Sequence, residues 1–189
     1  FHPTSKTFFD PNALHSKSLI WQFGEKSSLI IKDSEFLGSY YQLYLEQGSV
    51  QVFDSTFQRG IKAILALDLS GLTLDNCYIL QTGCYNGLFI SDTVADTTGI
   101  QVWESDNVDI KNTKLVGFDP QGLLYLTTTT TIVLKNNVFV VSADSLFYNI
   151  SSDRLMYQYE YASATIKDSS SIEIINNTFV NSDSFGQHQ

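Results

Sequence analysis

The chain has 189 residues, of which 43% are apolar and 16% charged, and its net charge is −9. This composition excludes a disordered chain, and the charge is opposite in sign to that of most surfaces that bind nucleic acids or anionic membranes. No apolar run reaches the roughly 18 residues that a spanning helix needs, so no direct membrane insertion is expected.

The two ends of the chain lack the regularity of the middle. We expect an N-terminal cap or an irregular coil over residues 1–18, a repetitive structure over residues 19–182, and a tail over residues 183–189. The chain opens at Phe1 and stops at Gln189 without a closing element. We therefore expect a processed chain or a fragment of a longer one, since a repetitive structure needs a cap at each end.

An eight-residue pattern recurs six times: apolar, any, apolar, any, Asp or Asn, small or polar, any, apolar. The copies occupy residues 29–36, 50–57, 72–79, 108–115, 132–139 and 172–179. Alternate side chains of a strand share a face, so the first and third positions should face a core. Asn and Asp tolerate a positive φ, which suits a tight corner after the strand.

A second strand precedes each copy, across a corner of two small or polar residues. These strands are expected at residues 21–23, 43–45, 65–67, 100–102, 124–126 and 164–166. The Asp/Asn positions are spaced by 21, 22, 36, 24 and 40 residues. The short spacings fit one coil of strand, corner, strand, corner, strand. The long ones predict loop insertions near residues 84–98 and 142–161.

These residues resemble the parallel β-helix repeat of the pectate-lyase-like superfamily, and the segment IEIINNTFVNS at residues 172–182 is typical of it. We therefore predict an all-β fold, a right-handed single-stranded parallel β-helix of about six to seven coils with two loop insertions. Because alternation places the Asp/Asn position inward, the resemblance implies an internal ladder of stacked side-chain amides. Its members would be Asn76, Asn112, Asn136 and Asn176.

Asp33 and Asp54 occupy the same position but carry carboxylates. Two carboxylates about 4.8 Å apart on successive coils repel each other, so they should lie at a wetter end, share a proton or bind a cation. Acidic residues also recur four positions before the repeat unit, at Glu25, Glu46, Asp68, Glu104 and Asp168. Asp33, Asp54, Glu46 and Asp68 are candidate Ca²⁺ ligands, with a solvated corner as the alternative. No other cofactor is expected.

Cys77 follows a ladder residue at a position that is polar elsewhere, so we expect it to point outward. A disulfide with Cys84 would fix the first insertion, and two unpaired thiols are the alternative. Sequons for N-glycosylation begin at Asn149 and Asn176. Asn149 lies in the second insertion and is the expected acceptor, whereas a buried Asn176 would carry no glycan.

No catalytic residue is assigned. His2, His15 and His188 lie near the termini, outside the repeats. The chain lacks the Asn-Thr-Asp, Asp-Asp and Gly-His-Gly signatures of polygalacturonase-like enzymes. Pectate lyases use an Arg or Lys base beside acids that hold Ca²⁺, but neither Arg59 nor Arg154 adjoins such a cluster. We therefore expect a protein that is not an enzyme.

The resemblance concerns a fold that hosts both enzymes and structural proteins. We predict an extracellular or cell-surface β-helix that acts as a spacer, filament or adhesive platform in a larger assembly. The alternative is a β-helix that binds or cleaves carbohydrate. The expected partners are other protein chains, further coils of the same protein and glycans, but not nucleic acid. Candidate contact residues on the insertions are Tyr85, Phe147, Tyr157, Tyr159 and Tyr161.

Overall fold

The structure is a computed structural model that describes residues 18–39, 41–58, 60, 62–81, 99–117, 123–142 and 164–182. The described residues form three parallel sheets of six strands each. The first sheet contains β1 (Ser18–Phe23), β4 (Tyr41–Glu46), β7 (Lys62–Leu67), β10 (Ile100–Trp103), β13 (Leu124–Thr127) and β16 (Ala164–Lys167). The second contains β2 (Ser28–Lys32), β5 (Ser49–Phe53), β8 (Gly71–Asp75), β11 (Asn107–Lys111), β14 (Thr131–Lys135) and β17 (Ser171–Ile175). The third contains β3 (Glu35–Leu37), β6 (Thr56–Gln58), β9 (Tyr78–Gln81), β12 (Lys114–Gly117), β15 (Val138–Ser142) and β18 (Thr178–Ser182).

Each coil supplies one strand to each sheet, so the six coils stack as a parallel β-helix. Equivalent residues lie over one another: Ile110 pairs with Leu74 on one side and with Leu134 on the other. The predicted fold class and the predicted superposition of coils are therefore confirmed. Every interior strand is hydrogen-bonded on both edges, which satisfies its backbone groups without water.

The second corner, between the second and third sheets, needs a left-handed residue in every coil. The six corner residues have φ between 48° and 56° and are Asp33, Asp54, Asn76, Asn112, Asn136 and Asn176. Asp and Asn adopt this conformation at lower cost than most residues, because their short side chains can bond the local backbone. The first corner uses the same device at Gln47, Asp68, Glu104, Thr128 and Asp168.

The core runs along the helix axis as columns of inward-facing apolar side chains. In the second and third sheets these are the first, third and eighth positions of the repeat. Val52, Leu74, Ile110 and Leu134 are all fully buried, and so are Phe57 and Phe139. Each such side chain stabilises the fold by roughly 1.5–3 kcal/mol. Ring stacking supports the third sheet at its two ends, between Phe36 and Phe57 and between Phe139 and Phe179.

Two of the strands expected in the first sheet, at residues 21–23 and 65–67, begin one residue later than their equivalents in the other coils. Ile20 and Ile64 pair with Leu43, so Trp21 and Leu65 are paired with Tyr44 and face outward. Alternation could not reveal this, because the outward face of this sheet is also partly apolar. Tyr41, Tyr44 and Leu65 form a second buried cluster there, separate from the main core.

Both long repeat spacings arise at the third corner, between the third sheet and the next strand of the first. β9 ends at Gln81 and β10 begins at Ile100, while β15 ends at Ser142 and β16 begins at Ala164. The two predicted insertions lie outside the described residues, except for Ser142. The predicted cap, apart from Ser18, and the predicted tail also lie outside them.

Candidate functional site

Side chains at the second corner are hydrogen-bonded along the outside of the helix, in a line that we call the outer ladder. The Nδ2 atom of Asn176 donates to Oδ1 of Asn136 at 3.0 Å, and Nδ2 of Asn136 donates to Oδ1 of Asn112 at 3.3 Å. The Nδ2 atom of Asn112 then donates to Oδ1 of Asp75 at 2.7 Å. The outer ladder thus comprises Asp75, Asn112, Asn136 and Asn176. Amide groups follow one another from coil to coil over its last three members.

Asp75 fixes the direction of the outer ladder. An amide can usually be placed either way round, but an ionised carboxylate only accepts hydrogen bonds. Asn112 must therefore present its Nδ2 to Asp75 and its Oδ1 to the following coil, and each later Asn repeats that orientation. Asn76 lies outside this line, because its Nδ2 donates to Oδ1 of Asp54 at 2.7 Å.

The prediction that the corner amides point inward is wrong. Asn76, Asn112, Asn136 and Asn176 are exposed. The interior is occupied instead by the next residue in each coil, at a column that we call the inner ladder. Its members are Ser34, Ser55, Cys77, Thr113, Asn137 and Asn177. A left-handed residue interrupts the alternation of the strand, so its own side chain turns outward and the following side chain turns inward.

The inner ladder links backbone to side chain across coils. The N–H of Thr113 donates to Oδ1 of Asn137 at 2.9 Å, and the N–H of Asn137 donates to Oδ1 of Asn177 at 2.8 Å. The Nδ2 atom of Asn137 also donates to the carbonyl oxygen of Ile110 at 2.7 Å. Asn137 is 1% exposed. The ladder therefore satisfies backbone groups at a buried corner that neither neighbouring sheet can satisfy.

Cys77 is a member of the inner ladder and is 3% exposed, so its predicted outward orientation is wrong. Its Sγ atom lies 3.5 Å and 3.6 Å from the carbonyl oxygens of Asp75 and Val52. The residue is a free thiol, and its predicted disulfide partner Cys84 lies outside the described residues. Burial raises the pKa of the Cys77 thiol, which keeps it protonated and unreactive near neutral pH.

The candidate Ca²⁺ ligands do not lie in one group. Asp33 and Asp54 are exposed at successive second corners, and Asp54 is bonded to Asn76. At the first corner Glu46 is level with Leu67, so Asp68 stands one position beyond it. Among the described residues no group of three or more acidic, His or Cys side chains has the arrangement to hold a metal ion.

Glu46 already has a partner. The hydroxyl of Tyr44 donates to Oε1 of Glu46 at 2.5 Å. Burial, followed by this bond, raises the pKa of Tyr44, so the hydroxyl keeps its proton and remains a donor. The carboxylate of Glu46 is thereby held against the first sheet.

The sequon at Asn176 is accessible, contrary to the prediction that burial would prevent its modification. Asn176 is exposed, and its Nδ2 atom, which a glycan would substitute, donates to Asn136. The expectation that Asn176 carries no glycan stays a prediction that now depends on this hydrogen bond. The predicted acceptor Asn149 lies outside the described residues.

Exposed aromatic rings stand on the outward face of the first sheet. Trp21 and Phe23 are 49% and 63% exposed, with ring centroids 6.2 Å apart, and Trp103 is 39% exposed further along the face. The prediction had placed candidate contact aromatics on the insertions instead. Tyr85, Phe147, Tyr157, Tyr159 and Tyr161 lie outside the described residues, as do Arg59, Arg154 and the three histidines.

A buried polar pair at the start of the third coil in this sheet was not predicted from the sequence. Lys62 is completely buried, lies 5.9 Å from the ring centroid of Tyr41 and donates a hydrogen bond to Oε1 of Gln101. A lone lysine in an apolar run suggests that the run is interrupted there. Only the pairing of β7 with β10 brings Gln101 beside Lys62.

At the C-terminal end of the described coils, inward-facing apolar side chains are exposed. Ile172, Ile174 and Phe179 occupy inward columns, yet they are 49%, 53% and 47% exposed. Their equivalents one coil earlier, Ile132, Leu134 and Phe139, are fully buried. The outer edges of β16, β17 and β18 also have no strand beside them among the described residues. Apolar side chains and unpaired strand edges therefore meet at one surface, which we call the open end.

Three parallel sheets that each receive one strand from every coil define a parallel β-helix. The chain matches the family model described as "Right handed beta helix region" over residues 18–188, and it belongs to this family. No curated protein and no solved structure gave a significant match. The described segments contain no helix with the length and hydropathy to span a bilayer.

Proposed function

We propose that the chain is a structural β-helix of an extracellular or cell-surface protein and serves as a spacer, filament segment or adhesive platform within a larger assembly. The observation that carries this proposal is the open end. Exposed apolar side chains beside unpaired strand edges are a surface that natural β-proteins normally cover, because it invites association. In this protein it is the natural place to join a neighbouring element.

Rigidity supports the same proposal. Each coil is joined to the next by three pairs of parallel strands, and the third to sixth coils are also joined by the two ladders, so relative movement of coils would break many hydrogen bonds at once. With six coils at about 4.8 Å each, the described coils give a rod roughly 30 Å long. A stiff rod suits a protein that holds partners apart or presents them at a fixed height.

The location can be tested with antibodies raised against the folded protein. Antibody labelling of intact cells of the source organism is expected, because a spacer or platform must be accessible from outside. Labelling that appears only after the cells are permeabilised would contradict the proposal. Small-angle scattering of the purified chain, checked against the rod dimensions, tests the rigid-spacer component separately.

Carbohydrate binding is a second candidate, favoured by the exposed rings of Trp21, Phe23 and Trp103. Flat aromatic faces offer apolar area at low conformational cost and suit the apolar face of a sugar ring. Calorimetric titration with oligosaccharides should then give heat that Trp21→Ala and Trp103→Ala remove. Ile30→Ala is the matched control, since Ile30 is also exposed but lies on the second sheet.

A further inference from the structure

The outer ladder ends with an unused acceptor at the open end. Asp75 forces each Asn to donate toward the preceding coil, so each Oδ1 atom accepts from the following one. In Asn176 the Nδ2 atom is used and the Oδ1 atom has no donor among the described residues. A coil added at this place would have to supply a donor, and a carboxylate cannot do so.

The inner ladder sets a second requirement at the same corner. The N–H groups of Cys77, Thr113 and Asn137 each donate to a side-chain oxygen of the following coil. The N–H of Asn177 is the next member of this series and has no such acceptor among the described residues. A side-chain oxygen from Asn, Ser or Thr would complete it, as Asn177 does for Asn137.

From these two requirements we propose that the open end docks one more β-coil in the same right-handed path, with Asn at its second corner followed by Asn, Ser or Thr. This proposal rests on the proposed structural function and names the partner surface that it needs. The added coil would bury Ile172, Ile174 and Phe179 as the sixth coil buries Ile132, Leu134 and Phe139. Its Asn would donate to Oδ1 of Asn176.

A second copy of the chain does not satisfy these requirements through its first coil. That coil carries Asp33 at the second corner, which would set a carboxylate against the Oδ1 of Asn176. Its inward side chains Ile31 and Phe36 are only 6% and 8% exposed, and Ile20 and Leu29 are half-buried, so it offers less apolar surface than the open end.

Two open ends placed face to face are also mismatched. An arrangement that brings their second corners together would set the Oδ1 atoms of two Asn176 residues against each other, with no donor between them. It would also pair the strands antiparallel, whereas every described pair in this fold is parallel. The chemistry of the corner therefore favours a distinct coil over self-association.

The test appends a copy of residues 123–142 directly after Gln189 of the full chain. This copy holds one complete coil with its own Asn136 and Asn137, and residues 183–189 are about as long as the connection at 118–123. We expect the melting temperature to rise by several degrees and the binding of a hydrophobic dye to fall. In the longer protein, Phe179→Ala should lower the melting temperature about as much as Phe139→Ala does. In the original chain, Phe179→Ala should lower the melting temperature less than Phe139→Ala does.

Two matched variants separate specific docking from general stickiness. Asn136→Asp in the appended copy alone should lose much of the gain, because its carboxylate cannot donate to Asn176. Ile174→Lys should alter the original chain little, since this side chain is 53% exposed, but should abolish the gain from the added coil. Retention of the full gain in both variants would overturn the proposal, and so would an added coil that leaves the melting temperature unchanged.

Self-association is measured on the original chain by sedimentation. We expect a monomer at micromolar concentration. Dimers or filaments that disappear in Ile174→Lys would identify a second copy as the occupant and would overturn the inference of a distinct coil. The proposed function is tested separately, by cell-surface labelling and by small-angle scattering from the rod. Neither measurement depends on the appended coil.

Discussion

The Nδ2 atom of Asn176 lies 3.0 Å from the Oδ1 atom of Asn136, although 40 residues of chain separate the two. The same kind of bond joins Asn136 to Asn112, where the separation is 24 residues. The corner geometry is thus independent of how much chain lies between successive coils. The outer ladder can be tested by changing one of its members at a time.

Asn136 contributes both its conformation and its amide. Its φ is 56°, which costs an alanine about 1–2 kcal/mol and a glycine almost nothing. Both Asn136→Ala and Asn136→Gly lose the ladder hydrogen bonds, so we expect Asn136→Ala to be the less stable by about 1 kcal/mol in urea unfolding. Thr130→Ala, at an exposed corner residue, serves as a control with little effect. Equal stability of the two Asn136 variants would argue against a left-handed corner.

Asn137 is expected to be the most sensitive polar residue of the inner ladder. Asn137→Leu leaves the Thr113 N–H without a partner in the interior, at a cost of about 1–3 kcal/mol, and also removes the side-chain bond to the Ile110 carbonyl. Asn137→Thr retains an acceptor for Thr113, as Thr113 itself does for Cys77, and should cost distinctly less. Chemical denaturation of both variants measures the difference. If leucine were tolerated as well as threonine, the inner ladder would not be stabilising the corner.

The Cys77 thiol should resist alkylation in the folded protein. We expect Cys77 to be modified by iodoacetamide only in denaturant when the measurement is made in a Cys84→Ala background. Because burial raises the pKa of the thiol, the folded state retains a proton that the unfolded state releases above about pH 8.5. Stability should therefore fall as the pH rises beyond that value.

Cys77→Ser removes this pH dependence, and serine fits the column because Ser55 already occupies it. The comparison is made by thermal unfolding between pH 7 and pH 10. A native-state alkylation rate equal to that of a free peptide would show that the thiol is exposed and would contradict the assignment.

Calcium is expected to leave the stability unchanged. Glu46 is held by Tyr44 and lies one position out of line with Asp68, so the two carboxylates do not form a shared oxygen cage. Addition of millimolar CaCl₂ should shift the melting temperature no more than the same concentration of MgCl₂. A selective increase with Ca²⁺ that Asp68→Asn removes would restore the first-corner site as a candidate.

The strands and corners could be predicted because their causes are local. Positions such as Leu74 and Ile110 must be apolar to fill a core, and Asn76 and Asn112 must tolerate a positive φ. Both constraints therefore show in the residue type at a single position. The orientation of the corner side chains could not be predicted by the same reasoning. The inward–outward alternation of side chains holds only for extended backbone. A residue in the left-handed conformation shifts this alternation by one residue.

The first sheet shows a different limit. Ile20 and Trp21 are both large and apolar, and only the pairing with β4 decides which of them faces the core. The burial of Lys62 could likewise not be predicted, since its partner Gln101 comes from the next coil, 39 residues later. The inward-facing columns can thus be predicted where the outer face of the sheet is polar, but not where both faces carry apolar side chains.

The long connections between strands both lie at the third corner. Both long connections leave the third sheet and enter the first, from β9 to β10 and from β15 to β16, and these exits lie two coils apart, or about 10 Å. Segments anchored there can be lengthened or exchanged during evolution without altering the width or pitch of the rod. A lineage under selection for new attachments would therefore diversify along this single edge while the scaffold beneath it stays constant.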